Sequence, residues 1–164
     1  GCTINKFGVN RFYQYIDKLK NSKNNYGILS FQMTNINGTG DLQKEKWWST
    51  SQIFDIFNIK SDSEIGESGQ YLGGILIMKK NKHLLEYLNK YEDIIYNNEL
   101  LITDIYNHKK QHDEFKENRH EQSISSILRK INGSEIIYGD ETYITPFGNS
   151  ESFKYPFWAT RIRE

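Results

Sequence analysis

Residues 118–128 hold the densest chemistry in the chain, because Asn118, Arg119, His120, Glu121 and Gln122 set a cation, an imidazole, a carboxylate and amides side by side. Ile124, Ile127, Leu128 and Ile131 follow at the i, i+3, i+4, i+7 spacing of one helix face. Residues 119–122 are therefore expected in a first helical turn, where free backbone N–H groups favour a phosphate or a developing negative charge. A structural reading competes with this. Asn118 and Glu121 have the spacing of a capping box, and at about 100° per residue His120 falls near the centre of the apolar stripe. The residues alone leave both readings open.

Other chemistry-bearing groups are more scattered. Gly73 and Gly74 at the mouth of an apolar run allow close approach of a ligand or a backbone, but lack the spacing of a phosphate loop. Trp47 and Trp48 offer a sugar-stacking surface, with one of the pair expected to anchor its loop. His108 and His112 stand four apart without a third ligand at a set distance, a weak metal signal. Asp140 and Glu141 follow the last expected strand, and the aromatic, basic tail carries Trp158, Arg161 and Arg163.

The elements that must position these groups alternate. A helix is expected on Phe12, Tyr15, Ile16 and Leu19, a buried strand over 26–33, a loop over 35–40, and a short helix opened by Ser49 and Gln52. Residues 61–68 read as a loop, 75–78 as a buried strand, and Leu84, Leu85, Leu88 and Tyr91 as a helix. A further helix is expected on Leu100, Leu101, Ile105 and Tyr106, and a last strand over 135–138. This alternation predicts an α/β layered fold with a mainly parallel sheet and flanking helices. Ligands of such sheets sit outside the carboxyl ends of the strands, where residues 70–74, Asp140, Glu141 and the first turn of the 118–128 helix are expected to converge.

The bulk numbers narrow the partners. The 164 residues suit one domain spanning 1–164, and 21 basic residues balance 21 acidic ones, which disfavours nucleic acid as a partner. One cysteine excludes an internal disulfide and fits a reducing, cytoplasmic setting, and no apolar run reaches the length of a membrane span. The chain opens on Gly1 rather than Met, in an apolar segment with no turn before it, and is expected to be a fragment of a longer protein.

The order of motifs resembles the C-terminal half of GT-A-fold (Rossmann-related) glycosyltransferases, which move a sugar from a nucleotide diphosphate to an acceptor. Gly73, Gly74 and the run to Lys79 resemble the Ala/Gly-Gly strand after the acceptor loop of the galactosyltransferase-like group. Glu121, Gln122, Ser123, Ile124, Ser125 and Ser126 resemble that group's D-Q-D-I-L-N helix start. Residues 119–128, with 140–143 and 156–159, are more similar still to glycosyltransferase-like proteins of bacterial surface-polysaccharide loci and large viruses, where the common form is R-H-D-Q-S. This chain departs in having Glu121 for Asp and Ser123 for the second Asp.

The resemblance implies a nucleotide-sugar donor and a glycan or other hydroxyl acceptor. It also implies Mn²⁺ or Mg²⁺ on a D-x-D motif upstream of Gly1, with the nucleotide-binding half, since Asp62, Ser63 and Glu64 match that motif poorly. Glu121, Gln122 and His120 are then the catalytic candidates. Glu121 would be the first candidate for the base if the anomeric centre inverts, with Asp140 or Glu141 the second; if it is retained, Gln122 would lie near the anomeric carbon and Glu121 would bind donor hydroxyls. Arg119, Gln70, Gly73, Gly74, Asp140, Glu141, Trp48, Trp158 and Arg161 are the substrate-binding candidates. Two other readings stand beside it: a non-catalytic carbohydrate- or protein-binding module, and a metal hydrolase built on His108, His112 and His120.

Overall fold

In the computed structural model, residues 1–34 and 42–160 are described; the expected 35–40 loop, Arg161 and Arg163 lie outside them. The chain folds into a mixed α/β structure around a small sheet. Its central strand β2 (Ile28–Gln32) is buried along its whole length. It pairs in parallel with β4 (Glu135–Tyr138), in the register Leu29 to Glu135 and Gln32 to Tyr138. On the other side it pairs antiparallel with β3 (Ile77–Met78). The order is thus β3-β2-β4, a mixed sheet rather than a mainly parallel one.

The period of two in β2 sends alternate side chains to two layers. Leu29 and Phe31, with Ile77 and Ile137 from the neighbouring strands, meet Tyr15 and Leu19 of helix α1 (Val9–Lys20). Ile28 faces the other way, onto Leu128 of helix α6 (Glu121–Asn132) and onto Leu84 and Tyr87 of α5 (Lys82–Asn97). Ile124 and Ile127 of α6 continue outward to Ile53 and Phe54 of α3 (Ser51–Ile56) and to Leu101. At about 1.5–3 kcal/mol for each fully buried aliphatic side chain, this double burial of α6 makes it the fold's principal internal support.

Two short helices complete the framework, α2 (Glu45–Trp48) and α4 (Glu64–Glu67). A two-stranded antiparallel ribbon joins β1 (Thr3–Ile4) to β5 (Phe157–Trp158). Asn5 fastens it by donating from Nδ2 to the carbonyls of Phe153 and Tyr155. Gly8 makes this possible, since a Cβ there would overlap the backbone of Tyr155 and Pro156. No helix among the described residues is long and apolar enough to cross a membrane.

Several expectations shift. The 75–78 strand shrinks to two residues with Leu76 and Met78 exposed, because β3 is an edge strand covered on one side. The helix on residues 100–106 becomes two 3₁₀ turns, Glu99–Ile102 and Ile105–His108. Thr103 breaks it, with an extended backbone and a hydroxyl that takes the Leu100 carbonyl. Helix α5 buries Leu84 and Tyr87 while Leu85 and Leu88 stay exposed. Thr50, not Ser49, caps α3 by accepting from the Ile53 N–H, and the 61–68 loop contains α4, capped by Ser63.

Candidate functional site

The start of α6 is set by tertiary contacts and not by a capping box. Asn118 is buried and donates from Nδ2 to the carbonyls of Leu101 and Thr103, while its own N–H donates to Asn107 Oδ1. His120 occupies the cap position with φ of 52°, a left-handed conformation that tertiary packing must hold in place. Its ring is turned outward to Asp104 (Nε2 to Oδ1, 2.7 Å), away from the apolar stripe. Among the described residues no side chain caps α6; Ser123, in its first turn, instead accepts from the Arg119 N–H and donates to the Trp48 carbonyl at 2.5 Å, tying the incoming segment to α2. Glu121 is left exposed in the first turn, and Ile131 is exposed at the far end.

Beneath this turn lies a buried polar network centred on Glu45, which is wholly inaccessible. Its Oε2 accepts from Lys130 Nζ at 2.7 Å and from Ser126 Oγ at 2.5 Å; its Oε1 accepts from Ser49 Oγ and Gln70 Nε2, each at 2.9 Å. Four donors offset the desolvation that makes a buried carboxylate costly. Gln70, oriented by that carboxylate, accepts through Oε1 from Gln122 Nε2 at 2.7 Å. Gln122 in turn leans on Gly73, where a Cβ would lie 3.0 Å from its Oε1. Glu45 thus sets the orientation of Gln122 through one intervening amide.

Arg129, one residue before Lys130, is also fully buried. It donates to Ser30 Oγ (3.1 Å) and to the carbonyls of Leu72 (3.0 Å), Ser125 (3.2 Å) and Tyr71 (3.4 Å). Burial pushes both the Arg129 guanidinium and the Lys130 ammonium below their ordinary ranges, against the pull of Glu45. By clasping the 71–72 backbone, Arg129 fixes the approach to Gly73 and Gly74. Gly74 itself is exposed with open space about it.

A cleft of about 100 Å³ opens at the carboxyl ends of β2 and β4, lined by Met33, Thr34, Gln43, Leu72, Arg119, Asp140, Tyr143 and Ala159. Three segments meet there, because Met33 donates its N–H to the Gln70 carbonyl and accepts the Gln43 N–H on its own carbonyl. Asp140 is held by Thr142, whose N–H (3.0 Å) and hydroxyl (2.6 Å) both donate to Oδ1. Arg119 lies over the Trp48 ring at 3.9 Å, with Nη1 3.6 Å from Met33 Sδ, and Gln122 Nε2 reaches the same sulfur at 3.4 Å.

The structure thus gathers Arg119, Asp140, Gln122, Gln70 and Gly73 about one place, with Trp48 behind Arg119. Other expected members lie elsewhere. Glu141 turns to α1, where it accepts a fork from Arg11 at 2.6 and 2.8 Å and the Tyr15 hydroxyl. Burial and this contact push Tyr15 far above the ordinary tyrosine range. Trp158 donates to the Ser152 carbonyl and stacks on Phe147. His112 bonds to the carbonyls of Ser49 and Asp113, while His120 pairs with Asp104. Among the described residues no three His, Cys, Asp or Glu side chains form a group fit to hold a metal ion. The hydrolase reading on His108, His112 and His120 loses its ligand set.

Sequence reasoning missed Glu45, Arg129, Lys130 and the cleft wall formed by Met33, Gln43 and Tyr143. One signal was present: Ser123, Ser125 and Ser126 give α6 a second face of small hydroxyl-bearing residues, which suits close packing against buried polar groups. Comparison with protein families, with curated proteins and with solved structures finds no match to the chain.

Proposed function

We propose that this chain is the acceptor-side part of a nucleotide-sugar-dependent glycosyltransferase of the GT-A-like class, with the cleft at the ends of β2 and β4 as its reaction site. The observation that carries this reading is the presence of both Arg119 and Asp140 in the lining of one cleft at the carboxyl ends of a parallel strand pair. Sugar transfer needs a cation for the departing diphosphate and a carboxylate for the acceptor proton, and this cleft offers both.

In this reading the acceptor oxygen attacks the anomeric carbon while the bond from that carbon to the diphosphate oxygen breaks. The diphosphate leaves with the bonding electron pair toward Arg119, whose position on Trp48 limits its rotamer freedom. The acceptor proton passes to Asp140. Asp140 replaces Glu121 as the preferred base because it lines the cleft whereas Glu121 is exposed on the helix start. Among the described cleft-lining residues Asp140 is the one carboxylate, which suits a single displacement with inversion. Gln122, held by Gln70, is placed to bind a hydroxyl of the donor sugar.

Calorimetric titration of the longest encoded chain carrying this sequence with nucleotide-sugars, with and without Mn²⁺, tests the proposal. Saturable binding of one donor, with transfer to a hydroxyl acceptor, is the expected result. No donor binding by a chain that includes an upstream D-x-D would overturn it in favour of a non-catalytic glycan-binding module.

A further inference from the structure

Beside the cleft, the carbonyls that end α2 are taken by the segment leading into α6. Lys116 and Glu117 donate their N–H groups to the Trp47 carbonyl at 2.9 and 3.2 Å, and Arg119 donates to the Trp48 carbonyl at 3.0 Å. These bonds satisfy helix-end carbonyls and lay the segment along the two indoles. As a consequence Lys116 Nζ sits 3.7 Å from the centre of the Trp47 ring and 5.6 Å from that of Trp48, and Arg119 sits 3.9 Å from that of Trp48. Lys44 approaches Trp47 from 5.9 Å. Glu114 holds the Trp47 ring in place by accepting from its Nε1 at 3.2 Å.

The charges on this surface differ in how they are answered. Lys44 is paired with Glu67, and Lys46 with Glu67 and Glu114. Lys116 is exposed and pairs with no carboxylate among the described residues; its partners are ring faces. A ring face steadies an ammonium without neutralising it, so the charge stays open to an external anion. Arg119 carries the same row of cations into the cleft wall.

We infer that the row from Lys116 across Trp47 and Trp48 to Arg119 binds an acidic glycan, one bearing uronate or phosphate groups, and feeds it into the cleft; this rests on the transferase reading above. Each indole is already attended by two cations, so the rings serve as platforms for charge and have little free face for stacking a neutral sugar or a nucleobase. Single-stranded nucleic acid depends on such free faces, and a chain of zero net charge has no broad field to gather it.

The test is calorimetric titration of the protein with oligogalacturonate of about six sugars, its methyl ester, and an oligodeoxythymidylate of equal charge, across a NaCl series. Oligogalacturonate is expected to bind with an affinity that falls as salt rises, the ester to give no measurable heat, and the oligodeoxythymidylate to bind more weakly. Lys116→Ala should weaken oligogalacturonate binding by about 5–10-fold and Lys116→Glu by more, with Lys116→Arg within about 2-fold of the parent. Lys116 is exposed, so thermal melting of each variant should match the parent. Equal binding of the ester, tighter binding of the oligodeoxythymidylate, or an unchanged affinity in Lys116→Ala would overturn the inference. Lys116-dependent binding in a chain that accepts no nucleotide-sugar would uphold this surface while removing the transferase; donor binding without oligogalacturonate binding would do the reverse.

Discussion

Two charged regions lie within one helical turn of each other and are built on opposite rules. Around Glu45 every charge is sealed in, and its carboxylate takes four donors from four side chains. Along Trp47 and Trp48, cations rest on ring faces at the surface. In the interior a charge is retained only if its partners are complete, so the network acts as a rigid mould for the 70–73 segment and Gln122. At the surface a charge retained on an aromatic plane keeps its capacity to bind. The contrast assigns positioning to the first region and recognition to the second.

The sharpest way to break that division is Glu45→Ala, which strands Lys130 in the interior and removes an acceptor from three other side chains. Urea unfolding should show a loss of about 3–5 kcal/mol, whereas a Glu45→Leu, Lys130→Met pair should lose less, about 1–3 kcal/mol, since it removes the stranded charge but still leaves Ser49, Gln70 and Ser126 without their acceptor. Equal losses in both variants would mean that the stranded Lys130 charge contributes little there.

In the cleft the expectation is reversed. Asp140→Asn keeps an oxygen to accept from Thr142, so stability should move by less than about 0.5 kcal/mol while transfer by the longest encoded chain falls about 10²–10⁴-fold. A variant that transfers sugar at the parent rate would remove Asp140 as the base.

Gly73→Ala probes the seam between the regions. Its Cβ would press on Gln122 from 3.0 Å and disturb the bond to Gln70 without touching Glu45. A cost of about 1 kcal/mol in thermal or urea unfolding is expected, together with weaker donor binding. The smallest effect belongs to Glu121→Ala, which should change stability by no more than about 0.5 kcal/mol and leave transfer intact, because that side chain is exposed and outside the cleft lining. A marked loss of transfer would restore Glu121 as the base and return the recognition role to the helix start.

Much of the local structure was legible because it rests on spacing alone. The helix on Phe12, Tyr15, Ile16 and Leu19, the core face of Ile124, Ile127 and Leu128, and the strand at 135–138 follow from periods of 3.6 and 2. For the site, the sequence singled out Arg119, Gln122, Gln70, Gly73 and Asp140, which the fold brings near one another. It equally singled out Glu141 and Trp158, which the fold sends elsewhere. Residue type and order distinguish these two sets poorly, since Asp140 and Glu141 are neighbours whose side chains part to different layers.

By itself the sequence determined the helices that became α1 and α6, the strands that became β2 and β4, and that the chain carries balanced charge and one cysteine. Only the tertiary structure decided that Arg129 goes inside while Ile131 stays out, that Asn118 serves the Leu101 and Thr103 carbonyls instead of capping α6, and that the tail returns to pair with Thr3 and Ile4. The physical reason is common to all three. Periodicity is set by neighbours along the chain, but whether a polar group is buried depends on donors and acceptors brought from distant segments, and those are known only once the layers have closed.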